Sequence, residues 1–213
     1  MFRKLLLIAL ATLYFPIGSA VAIRPEVARL QKDWAEIKYA QPKEAQEQKF
    51  AALLKVAEQA ATQAPADPEV LIWYGIVESS YAGARGGIGA LGNVKNAKAS
   101  FERAIEIDAA ALDGSALTSL GSLYYQVPGW PIGFGDDRKA AEFLRKGLAV
   151  NPDGIDANFF YGDYLFRSGD YTGAEQALKK ALLAPPRPAR ASADEGRRGE
   201  INQLLQRVAE KRR

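Results

Sequence analysis

The residues able to do chemistry in this chain form a short set, because it contains neither cysteine nor histidine. Thiol nucleophiles, disulfides, Cys/His zinc sites and every mechanism with an imidazole base are therefore excluded. Carboxylates, lysine, tyrosine and serine remain, and paired carboxylates are enough for a glycosidase. The one adjacent acidic pair worth weighing is Asp136–Asp137, directly ahead of a helical stretch. Neighbouring side chains cannot flank a scissile bond, whereas an acid at that position caps free N–H groups and meets the positive end of the helix dipole. Gly87, Gly89 and Gly92 spell G-x-G-x-x-G. A dinucleotide fingerprint must follow a strand and open a βαβ unit, and the residues before this one are helical in pattern. The same segment carries Arg85 beside a helix start, an arrangement suited to an anion. No catalytic residue, metal ligand or cofactor is assigned, and the expectation is a protein that is not an enzyme.

The glycines and aromatics with binding potential lie in two stretches, "GARGGIGALGNVKN" from Gly83 and "QVPGWPIGFGDDRK" from Gln126. In the second, prolines stiffen the chain and Gly129, Gly133 and Gly135 allow sharp turns. Trp130, Ile132 and Phe134 give it apolar surface. These rings either seal the hairpin end or line a ligand pocket or contact surface.

Self-similarity explains why such loops exist. From Ile155 to Pro186, Asn158, Tyr161, Gly162 and Leu165 share one helix face. A "SGDY" turn follows, then Ala174, Leu178 and Ala181 make a second stripe that Pro186 ends. The frame recurs as Leu117, Leu120, Gly121 and Tyr124 with Ala140, Leu144, Gly147 and Pro152. It recurs again as Leu71, Tyr74, Gly75 and Glu78 with Ala97, Phe101, Ala104 and Ala109, where Glu78 fits a packing slot poorly. These residues resemble the tetratricopeptide repeat, W-x2-L-G-x2-Y followed by A-x3-F, A and P over 34 residues. The resemblance implies an all-α, right-handed superhelix of antiparallel helix pairs. In it, glycine opposite alanine lets the paired helices approach, and stacking of hairpins builds the core.

Relative to the last repeat, whose Gly162-to-Ala174 spacing is 12, the middle and first repeats carry 7 and 10 extra residues. Both insertions fall at the turn within a hairpin, so both loops emerge on one edge and should touch. Insertions on one face of such arrays often mark where they bind.

The organisation expected is a leader at residues 1–22, a degenerate hairpin at 23–67, three repeats at 68–188 and a C-terminal capping helix at 189–213. Arg3 and Lys4 precede the apolar run Leu5–Phe15, and Ala20-Val21-Ala22 offers a cleavage site after Ala22. That pattern predicts export, and the run of 11 apolar residues is too short to span a bilayer. The mature chain would have no transmembrane segment and a periplasmic location. It would hold 26 bases against 25 acids, a net charge of +1 that gives nucleic acid no concentrated basic face. At the far end, Pro185–Pro188 reads as a helix stop that also matches P-x-x-P. Ser192 and Glu195 suit a capping box, ahead of a stripe of Ile201, Leu204, Leu205 and Val208.

The family resemblance implies that first helices line a concave groove and bind a protein partner there. The groove residues expected are Thr118, Ser122, Tyr125, Phe159, Asp163, Phe166 and Arg167, all turned away from the hairpin partner. The Lys/Asn cluster that some members use to clamp a C-terminal carboxylate is missing. The chain also resembles, through export and loop-bearing hairpins, the periplasmic accessory proteins of tripartite (TRAP) solute transporters. These share tetratricopeptide hairpins and bind small molecules or the solute receptor. That second resemblance implies a small-molecule site under the two long loops, with Arg85, Trp130 and Phe134 as its loop residues.

Overall fold

The computed structural model describes residues 24–213, and the leader expected at 1–22 lies outside them. Described residues are helical throughout their regular elements, in the order α1 (Pro25–Ala35), α2 (Lys43–Gln63), α3 (Pro68–Arg85), α4 (Leu91–Asp108), α5 (Ala111–Gln126), α6 (Asp137–Val150), α7 (Ile155–Arg167), α8 (Tyr171–Leu182) and α9 (Ala191–Lys211). A π-helical turn, Glu36–Ala40, extends α1. Helices α3/α4, α5/α6 and α7/α8 pair as three antiparallel hairpins, each docked on the next. Helix α2 packs mainly on α3, and α1 lies across both.

Local chemistry starts these helices where the sequence demands. Asp67 accepts from the Glu69 and Val70 N–H groups at the head of α3, ahead of Pro68 at a position that needs no donor. Asp136 does the same for Arg138 and Lys139 in α6, and Asp170 for Gly173 in α8. Between α4 and α5 no proline intervenes. Instead Leu112, Asp113 and Gly114 take left-handed conformations, so regular helix in α5 begins after them.

The repeat glycines do let helices approach, but the group facing them differs from the expected alanine. A Cβ at Gly75 would lie 2.6 Å from the Phe101 ring, one at Gly121 2.8 Å from Leu144 Cγ and 2.9 Å from its backbone nitrogen. One at Gly162 would lie 2.8 Å from Leu178 Cγ, with the Ala174 carbonyl at 3.4 Å. The A-x3-F spacing thus places the large residue, one turn beyond the alanine, into the glycine notch. Ala97, Ala140 and Ala174 are fully buried beside it. Each large side chain so buried is worth about 2 kcal/mol.

Glu78 corrects the expectation of a poor slot. It is 2 % exposed and accepts hydrogen bonds from the Tyr74 hydroxyl and from the Asn93 and Asn96 side-chain amides, at 2.9, 2.6 and 3.0 Å. The first insertion supplies both asparagines, so it lengthens α4 by one polar anchor on α3.

Helix α9 does more than cap. Ile201, Leu204 and Val208 bury against Leu178 and Ala181 as a cap should. Its first half, however, leaves repeat three and reaches the N-terminal elements. The Tyr39 ring rests on Gly196, Tyr39 Oη donates to Glu200, and Ala193 joins the core built by α1 to α6. The Ser192/Glu195 capping box is not formed, since α9 has no side-chain cap. Asp194, buried in its first turn, accepts instead from the Arg187 backbone and guanidinium. Residues 184–200 therefore form a strap that joins the two ends of the array across α5.

Candidate ligand cavity

A cavity of about 1270 Å³ lies between the strap and the concave face. Its walls come from α1, α3, α5 and α7, from both long loops and from the strap itself. One wall is aromatic. Trp34 meets Trp73 edge-on at 5.9 Å and Tyr39 at 5.7 Å, and its indole N–H donates to Ser80 Oγ at 2.7 Å. The hydrogen bond fixes the indole plane, and with Trp34 7 % and Trp73 2 % exposed the two rings form a packed backing to this wall.

The corner adjoining this wall, under the strap, is ionic. Asp156, at the start of α7, accepts from Arg187 at 2.9 Å and Arg197 at 2.8 Å. Arg197 also pairs with Glu200 at 2.5 Å and stacks over Phe159 and Phe160 at 4.3 and 4.8 Å. Burial alone would raise the Asp156 carboxyl, but the two guanidinium groups, with Arg190 nearby, hold it well below the ordinary carboxylate range. The same pairing raises Arg197 and Arg187 above their ordinary value against the opposing effect of burial. The network ties α7 to the strap, and through Glu200 to Tyr39 and Lys38.

The groove residues read from the sequence divide. Thr118, Ser122, Phe159 and Asp163 line the cavity. Thr118 nonetheless faces its own hairpin partner as well, since a Cβ at Gly147 of α6 would lie 2.5 Å from its Oγ1. Tyr125 donates to Asp163 at 2.9 Å and lies beneath the Arg167 guanidinium, and Arg167 returns an ion pair to Asp163 at 3.1 Å. These three hold α5 against α7, and Tyr125 and Arg167 are absent from the cavity wall. Burial pushes the Tyr125 phenol upward, and the Asp163 carboxylate adds to it. Phe166 is covered by Arg207 of α9 at 4.6 Å.

The loop residues divide too. Phe134 packs at home, edge-on to Tyr124 at 5.7 Å, with Lys98 of α4 over its ring at 5.9 Å. Trp130 points away at 90 % exposure and does not line this cavity. The loop between them is compact, because Gly133 and Gly135 N–H groups close on Gly129 and Pro128 carbonyls where a Cβ would collide. Both insertions do reach the cavity, through Gly87, Ile88 and Pro128, Ile132. Arg85 is exposed and folds back over Tyr81 and Gly89, outside the cavity. The G-x-G-x-x-G glycines follow a helix, as their context required.

What the sequence reading missed is the strap: Arg187, Arg190 and Arg197 with Asp156, and the aromatic pair Trp34 and Trp73. The signal available was the arginine-rich run "RPARASADEGRR" on the heels of a proline cluster, denser than a capping helix needs. Among the described residues no helix is long and apolar enough to cross a membrane, and no group of three or more acids is placed to hold a metal ion.

Residues 89–110 and 155–188 match the tetratricopeptide repeat model. No curated protein matches the chain. Among solved structures it is similar to a thermophilic tetratricopeptide-repeat protein of Thermus thermophilus, with 21 % identity, a TM-score of 0.57 and coverage of 87 % of this chain and 89 % of that one. MamA gives 19 % identity, a TM-score of 0.46 and coverage of 80 % and 92 %. The first likeness concerns the fold, and together with the matched segments it makes this chain an all-helical array of tetratricopeptide-type hairpins.

Proposed function

We propose that this chain is an exported, non-catalytic binding protein that takes a small-molecule ligand into the cavity under its strap. Arrays of this fold generally serve protein–protein interaction and are typically scaffolds rather than enzymes. An open scaffold would present a bare concave face. Here residues of the chain's own C-terminal segment form the wall opposite α3, α5 and α7, around about 1270 Å³. That observation carries the reading. The volume lies just above the usual range for ligand pockets, with an aromatic wall and a few placed polar groups. The reading includes cleavage after Ala22, a periplasmic location and an accessory role in solute transport, all of which N-terminal sequencing and fractionation would check.

The test is to purify the mature protein from a Gram-negative periplasm, denature it and identify released small molecules by mass spectrometry. A compound retained by the wild type and lost from Ser119→Phe, which fills the cavity from α5, supports the reading. A protein that is empty in both, and binds nothing from a periplasmic extract, sinks it.

A second reading, a protein adaptor, is favoured by the loop edge. Trp130, Ile132 and Ile88 are 90, 60 and 82 % exposed there. Ile88 and Ile132 also line the cavity, so a partner docking on that edge would meet its rim.

A further inference from the structure

The strap brings three arginines to one corner of the cavity, and they are not equivalent. Arg187 is clamped by Asp156 and Asp194, and Arg197 by Asp156 and Glu200. Arg190 has no carboxylate partner among the described residues. Its guanidinium lies over the Trp73 ring at 5.2 Å and lines the cavity. Its Nε is the one buried side-chain nitrogen or oxygen among the described residues without a hydrogen-bond partner. Burial pulls Arg190 below its ordinary value, with Arg187 and Arg197 adding to that and Asp156 and Asp194 opposing it.

The buried Nε–H without an acceptor is costly, on a residue that is otherwise half-buried. The ring quadrupole attracts the charge but accepts none of its in-plane N–H bonds. Nor can a neighbouring carboxylate turn to it without abandoning another cation. Asp156 holds Arg187 and Arg197, Asp163 holds Tyr125 and Arg167, Glu200 holds Arg197, Lys38 and Tyr39, and Asp153 holds Lys180. Asp113, the remaining acid on the wall, is exposed to solvent. Arg190 is also the N-cap residue of α9, whose first turn has no side-chain cap and presents the positive end of the helix dipole.

We infer that the cavity's ligand carries a carboxylate, bound by Arg190, on an apolar body. This rests on the cavity reading above and adds the ligand's chemical class. Among the described residues Arg190 is the one guanidinium on the wall without a carboxylate, and its planar fork takes a carboxylate through two parallel N–H bonds. Lys43, the other wall cation without an ion pair among them, is exposed to solvent. Trp73 and Trp34, 2 and 7 % exposed, back the guanidinium from within the core, and the apolar part has the half-buried Ile76, Leu91 and Val94 of the wall to lie along. The planar fork fixes the carboxylate's orientation.

The test uses the full mature chain with Trp130→Phe, so that all tryptophan emission comes from the cavity residues Trp34 and Trp73. N-phenyl-1-naphthylamine, an uncharged probe, reports occupancy by quenching that emission. It is then displaced by 4-phenylbutyrate or by the isosteric 4-phenylbutyramide. The acid should displace the probe at a concentration at least tenfold lower than the amide. In Arg190→Gln the probe should still bind, the preference for the acid should vanish, and the ligand-free melting temperature should not fall. Arg190→Lys keeps the charge and should retain part of the preference, which preserves the comparison if Arg190→Gln fails to fold. Arg138→Gln, on exposed α6 surface, should change nothing. Equal displacement by acid and amide, or a preference that survives in Arg190→Gln, overturns the inference while leaving the cavity reading standing. Absence of any probe uptake overturns both.

Discussion

The Tyr39 ring lies directly on Gly196, so near that the space for a Cβ at residue 196 is already occupied by ring carbons. This one contact joins the turn after α1 to the first half of α9 and closes the array on itself.

Replacing Gly196 by alanine should therefore pry the strap from the N-terminal elements without touching the repeats. The expected cost is about 1–3 kcal/mol, in line with other overpacked contacts. Chemical denaturation measures it. Hydrogen exchange should rise in Glu36–Ala40 and in the first turns of α9, while α5 and α6 stay protected.

Asp156→Asn should be costlier, about 3 kcal/mol, because Arg197 is nearly buried and would lose its charge partner. Asp156 also dictates the pH response. Its folded pKa is depressed, so the stability it provides is fully present above the unfolded carboxylate value, about 4, and is lost as pH falls through the lower folded value. Melting temperature should thus hold from neutrality down to about pH 4 and drop below it. In Asp156→Asn that part of the acid limb should be absent.

The repeat glycines offer a matched pair. Gly121→Ala places a methyl 2.9 Å from the Leu144 backbone nitrogen, which cannot give way as a side-chain tip can, and should cost about 1–3 kcal/mol. Gly83, also in a helix, has nothing within 4 Å of its missing Cβ. There alanine should stabilise by up to about 1 kcal/mol through helix propensity alone. Urea midpoints of the two variants should move in opposite directions.

Trp130→Ser removes a ring that is 90 % exposed, so stability should change by less than about 0.5 kcal/mol. Probe uptake in the cavity should be unaffected. A crosslinked partner captured by the wild type and lost here would assign the loop edge to protein contact.

Some corrections show where sequence reading ran out. Asp136 was legible as a cap because capping is local, decided within three residues of chain. Ser192 and Glu195 carried the same local signal, yet Asp194 beside them is drawn to Arg187, and the box is lost to a competing ion pair. Glu78 looked like a defect in its repeat, and its partners Asn93 and Asn96 stand 15 and 18 residues away in the insertion that accommodates it. Trp130 and Phe134 have equal apolar character, but Phe134 finds Tyr124 and Trp130 finds solvent.

Periodicity and small-residue spacing by themselves determined the helices, the three hairpins and the edge from which both loops emerge, because those depend on neighbours one turn apart or across a short connection. Only the tertiary structure decided that the concave face is walled by the chain's own end, that Trp73 packs beneath Arg190, and that Arg190 alone of the arginines on the cavity wall is left without a carboxylate among the described residues. Those outcomes depend on where α9 meets Tyr39, a contact across 157 residues that the curvature of the whole stack sets and no local pattern encodes.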